Sequence, residues 1–222
     1  GLRNPHFTYD GVHYQQPQTA INIRPVQTPR PPIWVAGNDP NSHRRCARHG
    51  YVPFISGVMG SPRRMRRIRD QVKQCYVEEG ITDPSRIRMG ALRFAMVSNS
   101  KKEVEQYVDS ARYQQRLAIS LRERRQEVVD DYWIAEEPFP EELPVDRIMK
   151  NLMLGDATMV AERLVEEIEL YGPTHLNVYF SVGDVESKVA MGSMERFMTE
   201  VVPLVERHFG KPIGEINDFP DP

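Results

Sequence analysis

Long apolar runs, cysteine-rich stretches and an excess of charge of one sign are all missing from this sequence of 222 residues. No run approaches the ~20 apolar residues that cross a bilayer, and the N-terminus lacks the pattern of a signal peptide. We therefore expect a cytoplasmic protein with no membrane partner. Two cysteines, Cys46 and Cys75, cannot build a disulfide framework and are interpreted as reduced thiols in the core. A formal net charge of −2 gives no general attraction to nucleic acid.

The six histidines are scattered, and none is spaced from another His, Cys or carboxylate as metal ligands are. No metal is therefore expected. His13 and His49 are expected to cap or pack, with a substrate-facing role as the alternative. His175 opens an apolar run and is interpreted as structural.

Residues 31–39 are the most informative stretch, because a short apolar run ends in a glycine and is followed by helix-starting residues. The pattern predicts a buried strand that delivers a loop to the carboxyl edge of a sheet, where α/β proteins bind anions. Gly37 allows a sharp turn or a close approach to a ligand. Asp39 or Ser42 is expected to cap a helix that begins at Pro40 and ends at Gly50.

The same alternation of strand and helix continues along the chain. Further strands are predicted over 51–56, 87–97 and 175–180, and further helices over 62–80, from Asp156 to Gly172, and from a cap at Ser193. Met194, Phe197, Met198 and Val201 are expected on the buried face of the last helix. Pro203 is expected to break or kink that helix at Val202.

Three segments stand outside this alternation. Residues 1–32 predict a hairpin around Asp10-Gly11, followed by a proline-rich extended connector over 15–32. Residues 101–150 predict an insertion with charged helices over 101–120 and 121–131, which is either a functional lid or a surface decoration or oligomer contact. Residues 211–222 predict a disordered or surface-hugging tail.

Arginines occur in two different settings. Arg63, Arg64, Arg66, Arg67 and Arg69 are interpreted as the solvated face of an amphipathic helix rather than a nucleic-acid patch, since no aromatic platform accompanies them. Arg93 lies inside an apolar strand, where an unpaired charge is costly to bury. It is expected to form a structural salt bridge, with an anionic ligand as the alternative. In the last strand, either Asn177 and Tyr179 or Leu176, Val178 and Phe180 must face the interior.

Strands that alternate with helices are typical of a parallel sheet with right-handed crossovers. Four such units are predicted here. They amount to half of a (β/α)8 barrel, which typically needs ~250 residues. We therefore expect one α/β region over 1–222 that supplies roughly the second half of a TIM barrel.

Six segments occur in a familiar order along the chain, at residues 7–14, 23–32, 33–37, 47–50, 155–164 and 193–203. In this order they resemble the bacterial luciferase-like flavin-dependent monooxygenases. It implies a TIM barrel that binds reduced FMN, or alternatively a deazaflavin, and uses O2 to oxidise a small organic substrate. A flavin reductase and an oligomeric state are the partners implied.

The resemblance also implies a cofactor site. The family's loop after the strand at 33–37 lies near the flavin phosphate, and we carry this role over to Ala36, Gly37, Asn38 and Asp39. Beside a phosphate, the Asp39 carboxylate would need a neutralising neighbour such as Arg44 or Arg45. The family's catalytic histidine or cysteine is expected on the first half of the barrel, so no catalytic residue is assigned within 1–222. We expect this chain to pair with such an N-terminal half.

Two classes of function follow. The first is the C-terminal part of a flavin-dependent monooxygenase. The second is a non-catalytic flavin-binding or assembly protein that retains a trimmed barrel without its chemistry. Turnover of reduced FMN with O2 distinguishes the two.

Overall fold

Residues 4–28, 30–83, 87–123, 128–129, 133–134 and 137–217 are described by a computed structural model, which divides into the units Gly1–Trp34 and Val35–Pro222. The first unit contains an antiparallel hairpin of β1 (His6–Asp10) and β2 (Gln15–Ala20). Pro17 lies within β2, so the predicted connector begins only after Ala20. A two-stranded ribbon tolerates this proline because each strand keeps one edge without ladder hydrogen bonds.

The second unit is built on a parallel sheet. Its strands are β3 (Trp34–Ala36, which starts at the border of the two units), β4 (Val52–Ser56), β5 (Gly90–Val97), β8 (Met153–Gly155) and β9 (His175–Tyr179). β5 pairs in parallel with β4, with β9 and, towards its carboxyl end, with β8. The predicted parallel pairing is therefore confirmed. Among the described residues these strands form an open sheet and do not close into a barrel.

The connections supply the helices. They are α1 (Pro40–His49), α2 (Pro62–Glu78), α3 (Lys101–Glu123), α4 (Val145–Asn151), α5 (Ala157–Tyr171), α6 (Ser187–Arg196), a π-helical turn (Phe197–Val201), α7 (Val202–Phe209) and a 3-10 turn (Ile213–Glu215). Two short antiparallel strands, β6 (Val128–Val129) and β7 (Trp133–Ile134), lie between α3 and α4.

The two faces of the sheet are covered differently. On the outer face, Ala91, Ala95 and Val97 of β5 pack under α1, α2, α5 and α7 in two adjoining apolar clusters. The inner face is defined here by Ala36, Phe54, Ser56, Leu92, Phe94, Met96, Asn177 and Tyr179. Register supports this assignment, because Ser56 and Asn177 both lie beside Leu92. Buried residues of α3 and α4 cover the inner face at the carboxyl end of β5.

Local signals predicted the helix ends well. The Asp39, Ser61 and Asp156 side chains each accept a hydrogen bond from the first turn of α1, α2 and α5, as expected of N-caps. Gly50 and Gly172 end α1 and α5 in the left-handed conformation, with φ of 64° and 54°.

Predictions around the last helix were partly wrong. Helix α6 begins at Ser187, and Ser193 is buried within it, where its hydroxyl accepts a hydrogen bond from the Val97 amide across 2.8 Å. Met194 and Met198 are exposed, whereas Phe197 and Val201 are buried as expected. The backbone does not break at Pro203 but widens into the π-helical turn before it. A proline has no N–H to donate to the preceding turn, and such a widening accommodates the loss.

Other differences arise from contacts remote in sequence. Strand β8 was not predicted, because its three residues pair, within the described part of the chain, only with the far end of β5. Arg69 is not on the solvated face of α2; its side chain is buried and donates to the Ile87 carbonyl across 2.9 Å. Residues 128–129, expected in a helix over 121–131, form strand β6, and the rest of 124–131 lies outside the described residues. Of the predicted tail, 211–217 packs through Ile213 and Ile216, and 218–222 lies outside the described residues.

No helix among the described residues has both the length and the apolar character that a bilayer crossing requires.

Candidate functional site

The loop Ala36–Asp39 begins at the last residue of β3, at the carboxyl edge of the sheet, and leads directly into α1. The Gly37 amide donates to the Phe54 carbonyl across 3.3 Å, which ties the loop to β4. A Cβ on Gly37 would lie 2.8 Å from Ser42 Oγ and 3.0 Å from Ser42 Cβ. The position therefore needs glycine because the first turn of α1 approaches the loop backbone closely.

Asp39 occupies the N-terminus of α1 with its carboxylate. Oδ1 accepts from the Ser42 amide at 3.0 Å, and Oδ2 accepts from the Ser42 hydroxyl at 2.6 Å. These hydrogen bonds, the hydroxyl first, lower the pKa of Asp39 below its usual value, so the group is ionised at neutral pH. Neither neighbour expected to neutralise it does so. The Arg44 guanidinium lies 2.9 Å from Glu78, and the exposed Arg45 forms no ion pair with Asp39 among the described residues. Ser42, rather than Arg44, stabilises this carboxylate.

The side chains of His43 and Gln71 form hydrogen bonds with the backbone of the loop. The fully buried His43 places Nε2 at 3.2 Å from the Gly37 carbonyl and Nδ1 at 3.2 Å from Gln71 Nε2. Gln71 Nε2 also donates to the Asn38 carbonyl across 3.2 Å. Burial lowers the pKa of His43, and the Gly37 carbonyl opposes this only in part. Neither residue was singled out from the sequence; the available signal was that His43 shares the buried stripe of α1 with Cys46 and Ala47.

The packing of β9 shows which of its side chains face the interior of a barrel. Asn177 and Tyr179 lie on the inner face, whereas Leu176, Val178 and Phe180 pack against the outer helices. Tyr179 is 41% exposed, and its ring centroid lies 5.6 Å from that of Phe94. Tyr107 of α3 contacts Phe94 edge-on and donates its hydroxyl to the Tyr179 carbonyl across 2.5 Å. An amide and aromatic side chains thus lie side by side on the inner face, where β5 pairs with β9.

A further open pocket of about 450 Å³ lies where β5 and β8 end and α3 and α5 begin. Its lining residues are Ser98, Asn99, Lys101, Val104, Gly155, Asp156 and Met159. The polar groups of this lining are largely engaged by the helix starts. The Ser98 hydroxyl donates to Glu103 at 2.5 Å, Asp156 caps α5, and Asn99 accepts from Arg196.

Arg93 is structural, as expected. Its guanidinium, fully buried on the outer face, forms a salt bridge of 2.6 Å with the equally buried Glu167 of α5. It also donates to the carbonyls of Gly57, Gly60 and Asn151. The Tyr171 hydroxyl donates to Glu167 at 2.6 Å, and burial raises the pKa of Tyr171 so that it keeps this proton. Glu167 was not singled out in the sequence, since a glutamate on a helix is usually exposed.

Cys46 and Cys75 are buried, unpaired thiols, as expected. Desolvation raises the pKa of Cys46 to about 11 and also raises that of Cys75, which keeps both protonated and unreactive. His49 packs, with its ring stacked on Tyr51 at 5.3 Å. Within the described residues, no group of three His, Cys, Asp or Glu side chains could hold a metal ion.

Comparison with known proteins identifies the family. Residues 1–175 match the sequence pattern of the luciferase-like monooxygenases. The chain is 31% identical over 211 residues to y4vJ, an uncharacterized protein of Sinorhizobium fredii, covering 95% of this chain and 60% of that protein. It is 27% identical over 205 residues to the oxygenase component of the flavin-dependent trigonelline monooxygenase of Acinetobacter baylyi. This match covers 89% of this chain and 55% of that protein.

The fold of this chain also matches that of a solved structure. The oxygenating constituent of 3,6-diketocamphane monooxygenase of Pseudomonas putida, solved with FMN, matches with a TM-score of 0.58 at 18% identity, covering 90% of this chain and 58% of that one. The TIM-barrel type of fold expected from the sequence is thereby confirmed. The chain spans just over half the length of these relatives. It belongs to the luciferase-like monooxygenase family.

Proposed function

We propose that the protein to which this chain belongs is a flavin-dependent monooxygenase that uses reduced FMN and O2 to oxidise a small organic substrate. Family membership supports the reaction class, and the loop Ala36–Asp39 supports the cofactor. This loop combines the carboxyl edge of a parallel sheet, a glycine packed closely against the Ser42 side chain, and a helix N-terminus. Anionic cofactor groups bind in such places in α/β proteins.

The loop residues fit a phosphate group. The backbone N–H and the side-chain amide of Asn38 are donors that phosphate oxygens accept. The Asp39 carboxylate is the one unfavourable group, and its two hydrogen bonds to Ser42 hold it at the helix start. Ala36, Gly37, Asn38 and Asp39 are therefore proposed to hold the phosphate of FMN through backbone and amide donors.

The inner face is proposed to contain the reacting groups. When bound, reduced FMN supplies the oxygen chemistry. Asn177 and Tyr179 would bind and orient the flavin ring or the substrate through an amide and an aromatic surface. Helix α3, which already covers Phe94 and Met96, would exclude water at the carboxyl end of the sheet. This gives α3, within the insertion over 101–150, the role of a cover for the site.

The partners follow from the same proposal. The Acinetobacter baylyi relative is by its name an oxygenase component, which favours a separate flavin reductase as the source of reduced FMN. The remaining strands of a barrel are proposed to cover the inner face, where Asn177 and Tyr179 are exposed. The relatives are long enough to contain those strands, since the chain spans 60% and 55% of two of them. We expect the assembled enzyme to be an oligomer.

Flavin titration tests the cofactor site. We expect the chain to bind FMN more tightly than riboflavin, which lacks the phosphate, and to bind FMN more tightly than a deazaflavin. Asp39→Asn keeps a good N-cap and removes one negative charge, so FMN affinity should rise about threefold while riboflavin affinity stays constant. Asp70→Asn, on the exposed face of α2, is the matched control and should change neither affinity.

Equal affinity for FMN and riboflavin would contradict the phosphate site. Turnover tests the reaction itself, in the intact protein supplied with a flavin reductase, FMN and O2. Substrate-dependent oxygen consumption is expected. Flavin binding without any turnover would instead support a non-catalytic flavin-binding or assembly protein.

A further inference from the structure

We propose that His43 and Gln71 are positioning residues that orient two consecutive peptide groups of the loop, so that the N–H groups of Asn38 and Asp39 point outward to a bound anion. The ligand in this inference, the phosphate of FMN, rests on the proposed function. The orientation itself rests on three hydrogen bonds between side chains of α1 and α2 and the loop backbone.

The chemistry of the bonded atoms fixes the direction of each hydrogen bond. The Asn38 carbonyl can only accept, so the Gln71 group 3.2 Å from it is the amide nitrogen, which has two hydrogens. The second hydrogen is then directed to His43 Nδ1, also at 3.2 Å, which must accept it. A neutral imidazole that accepts at Nδ1 carries its proton on Nε2. Nε2 is the atom 3.2 Å from the Gly37 carbonyl, and it donates there.

Peptide geometry then determines where the N–H groups of Asn38 and Asp39 point. In a planar trans peptide group, the C=O and the following N–H point in opposite directions. Because His43 holds the Gly37 carbonyl, the N–H of Asn38 faces away from the His43 side chain. Because Gln71 holds the Asn38 carbonyl, the N–H of Asp39 likewise faces away from Gln71. The two amides are thus fixed as a pair of donors directed out of the supporting helices.

Rotation of either peptide group out of this orientation is costly. Rotating either peptide group would leave the fully buried His43 or the half-buried Gln71 without its partner. Leaving a buried polar group unsatisfied costs more than an ordinary hydrogen bond contributes. The loop therefore holds its donors before a ligand arrives, which reduces the entropy lost on binding. Neither side chain is proposed to touch the ligand.

Gln71→Leu tests this with Gln74→Leu as the matched control. Gln74 lies in the same helix, is exposed, and its amide bonds only to Glu78 among the hydrogen bonds described. The first readout is the orientation of the Asn38 and Asp39 N–H vectors from NMR residual dipolar couplings in the flavin-free chain. The second is the preference for FMN over riboflavin. The third is the 15N shift of His43, which should report a neutral ring protonated on Nε2.

In Gln71→Leu we expect both N–H vectors to reorient and the FMN preference to fall about tenfold, the effect of losing one orienting hydrogen bond. Riboflavin affinity should not change, and Gln74→Leu should match the wild type in every readout. The inference is overturned if the vectors keep their orientation in Gln71→Leu, if the FMN preference survives, or if His43 carries its proton on Nδ1. A wild-type chain that shows no FMN preference overturns the proposed phosphate site instead, and the vectors alone then decide whether His43 and Gln71 orient the loop.

Discussion

At the scale of single residues, the buried ion pair of Arg93 and Glu167 joins elements that are far apart in sequence. The guanidinium binds the Glu167 carboxylate of α5 and the carbonyls of Gly57 and Gly60, in the loop after β4. Both side chains have no exposed surface. A desolvated charge of this kind is tolerated only while its partners remain in place.

Glu167→Gln should therefore lower the free energy of unfolding by about 3 kcal/mol, because it leaves the Arg93 charge buried and uncompensated. Urea denaturation measures the loss. Glu105→Gln is the control, since Glu105 pairs with Lys101 at 3.5 Å on an exposed helix surface and should cost about 0.5 kcal/mol or less. Equal losses in the two variants would show that the buried Arg93–Glu167 pair contributes no more stability than an exposed ion pair.

The pKa of His43 couples stability to pH. Burial lowers this pKa below its ordinary value of 6.5, so the unfolded chain binds the proton more readily than the folded one. The stability that this shift of the His43 pKa contributes is complete above pH 6.5 and is lost as the pH falls towards the folded-state pKa.

Below pH 6.5, the wild type should lose stability with falling pH faster than His43→Gln, by up to about 1.4 kcal/mol per pH unit for one proton. Urea unfolding at a series of pH values measures both slopes. Between about pH 7 and pH 8 the difference between the two proteins should stay constant, which serves as the internal control. Parallel slopes at acid pH would contradict a lowered pKa for His43.

At the scale of elements, helix ends show how local signals act. Gly50 ends α1 at φ 64°, with open space where a Cβ would be, so a substitution there meets only backbone strain. Gly192 lies inside α6, and a Cβ there would also meet nothing within 4 Å. A glycine-to-alanine substitution therefore meets a left-handed backbone at Gly50 and a helical backbone at Gly192.

Gly50→Ala should destabilise the protein by about 1 kcal/mol, since alanine is strained in the left-handed region. Gly192→Ala should stabilise it by about 0.5–1 kcal/mol, because alanine loses less entropy in a helix interior. Thermal or urea unfolding of the two variants gives the signs. A stabilising Gly50→Ala would contradict the left-handed end of α1.

At the scale of the whole molecule, the sheet has one face packed under helices and one face that α3 and α4 cover only at the carboxyl end of β5. Phe180 lies on the packed side, is 7% exposed and contacts Phe197 at 5.4 Å between ring centroids. Asn177 lies on the inner face and is exposed. Stability of this chain should therefore depend mostly on the outer face.

Phe180→Ala should cost about 3–5 kcal/mol through a cavity in the core, whereas Asn177→Ala should change stability by about 0.5 kcal/mol or less. Unfolding of the isolated chain measures both. If a barrel is completed around the inner face, Asn177→Ala should instead affect flavin or substrate binding in the intact protein. A large stability loss from Asn177→Ala in the isolated chain would contradict an open inner face.

The sequence by itself determined the features that arise from neighbouring residues. Asp39, Ser61 and Asp156 cap their helices, and Gly50 and Gly172 end theirs, because these bonds and dihedrals join groups within a few positions of each other. The alternation of β and α likewise predicted the parallel sheet, since crossovers of this length join parallel strands.

Only the tertiary structure decided which residues meet across the chain. Arg93 and Glu167 are 74 positions apart, Val97 and Ser193 are 96 apart, and His43 and Gln71 are 28 apart. Ser193 illustrates the difference. Its local pattern predicted a helix cap, whereas its hydroxyl accepts a hydrogen bond from the Val97 amide of β5. Pairings of this kind depend on how helices pack on the sheet, and the free energy of that packing is distributed over many contacts that no short stretch of sequence contains.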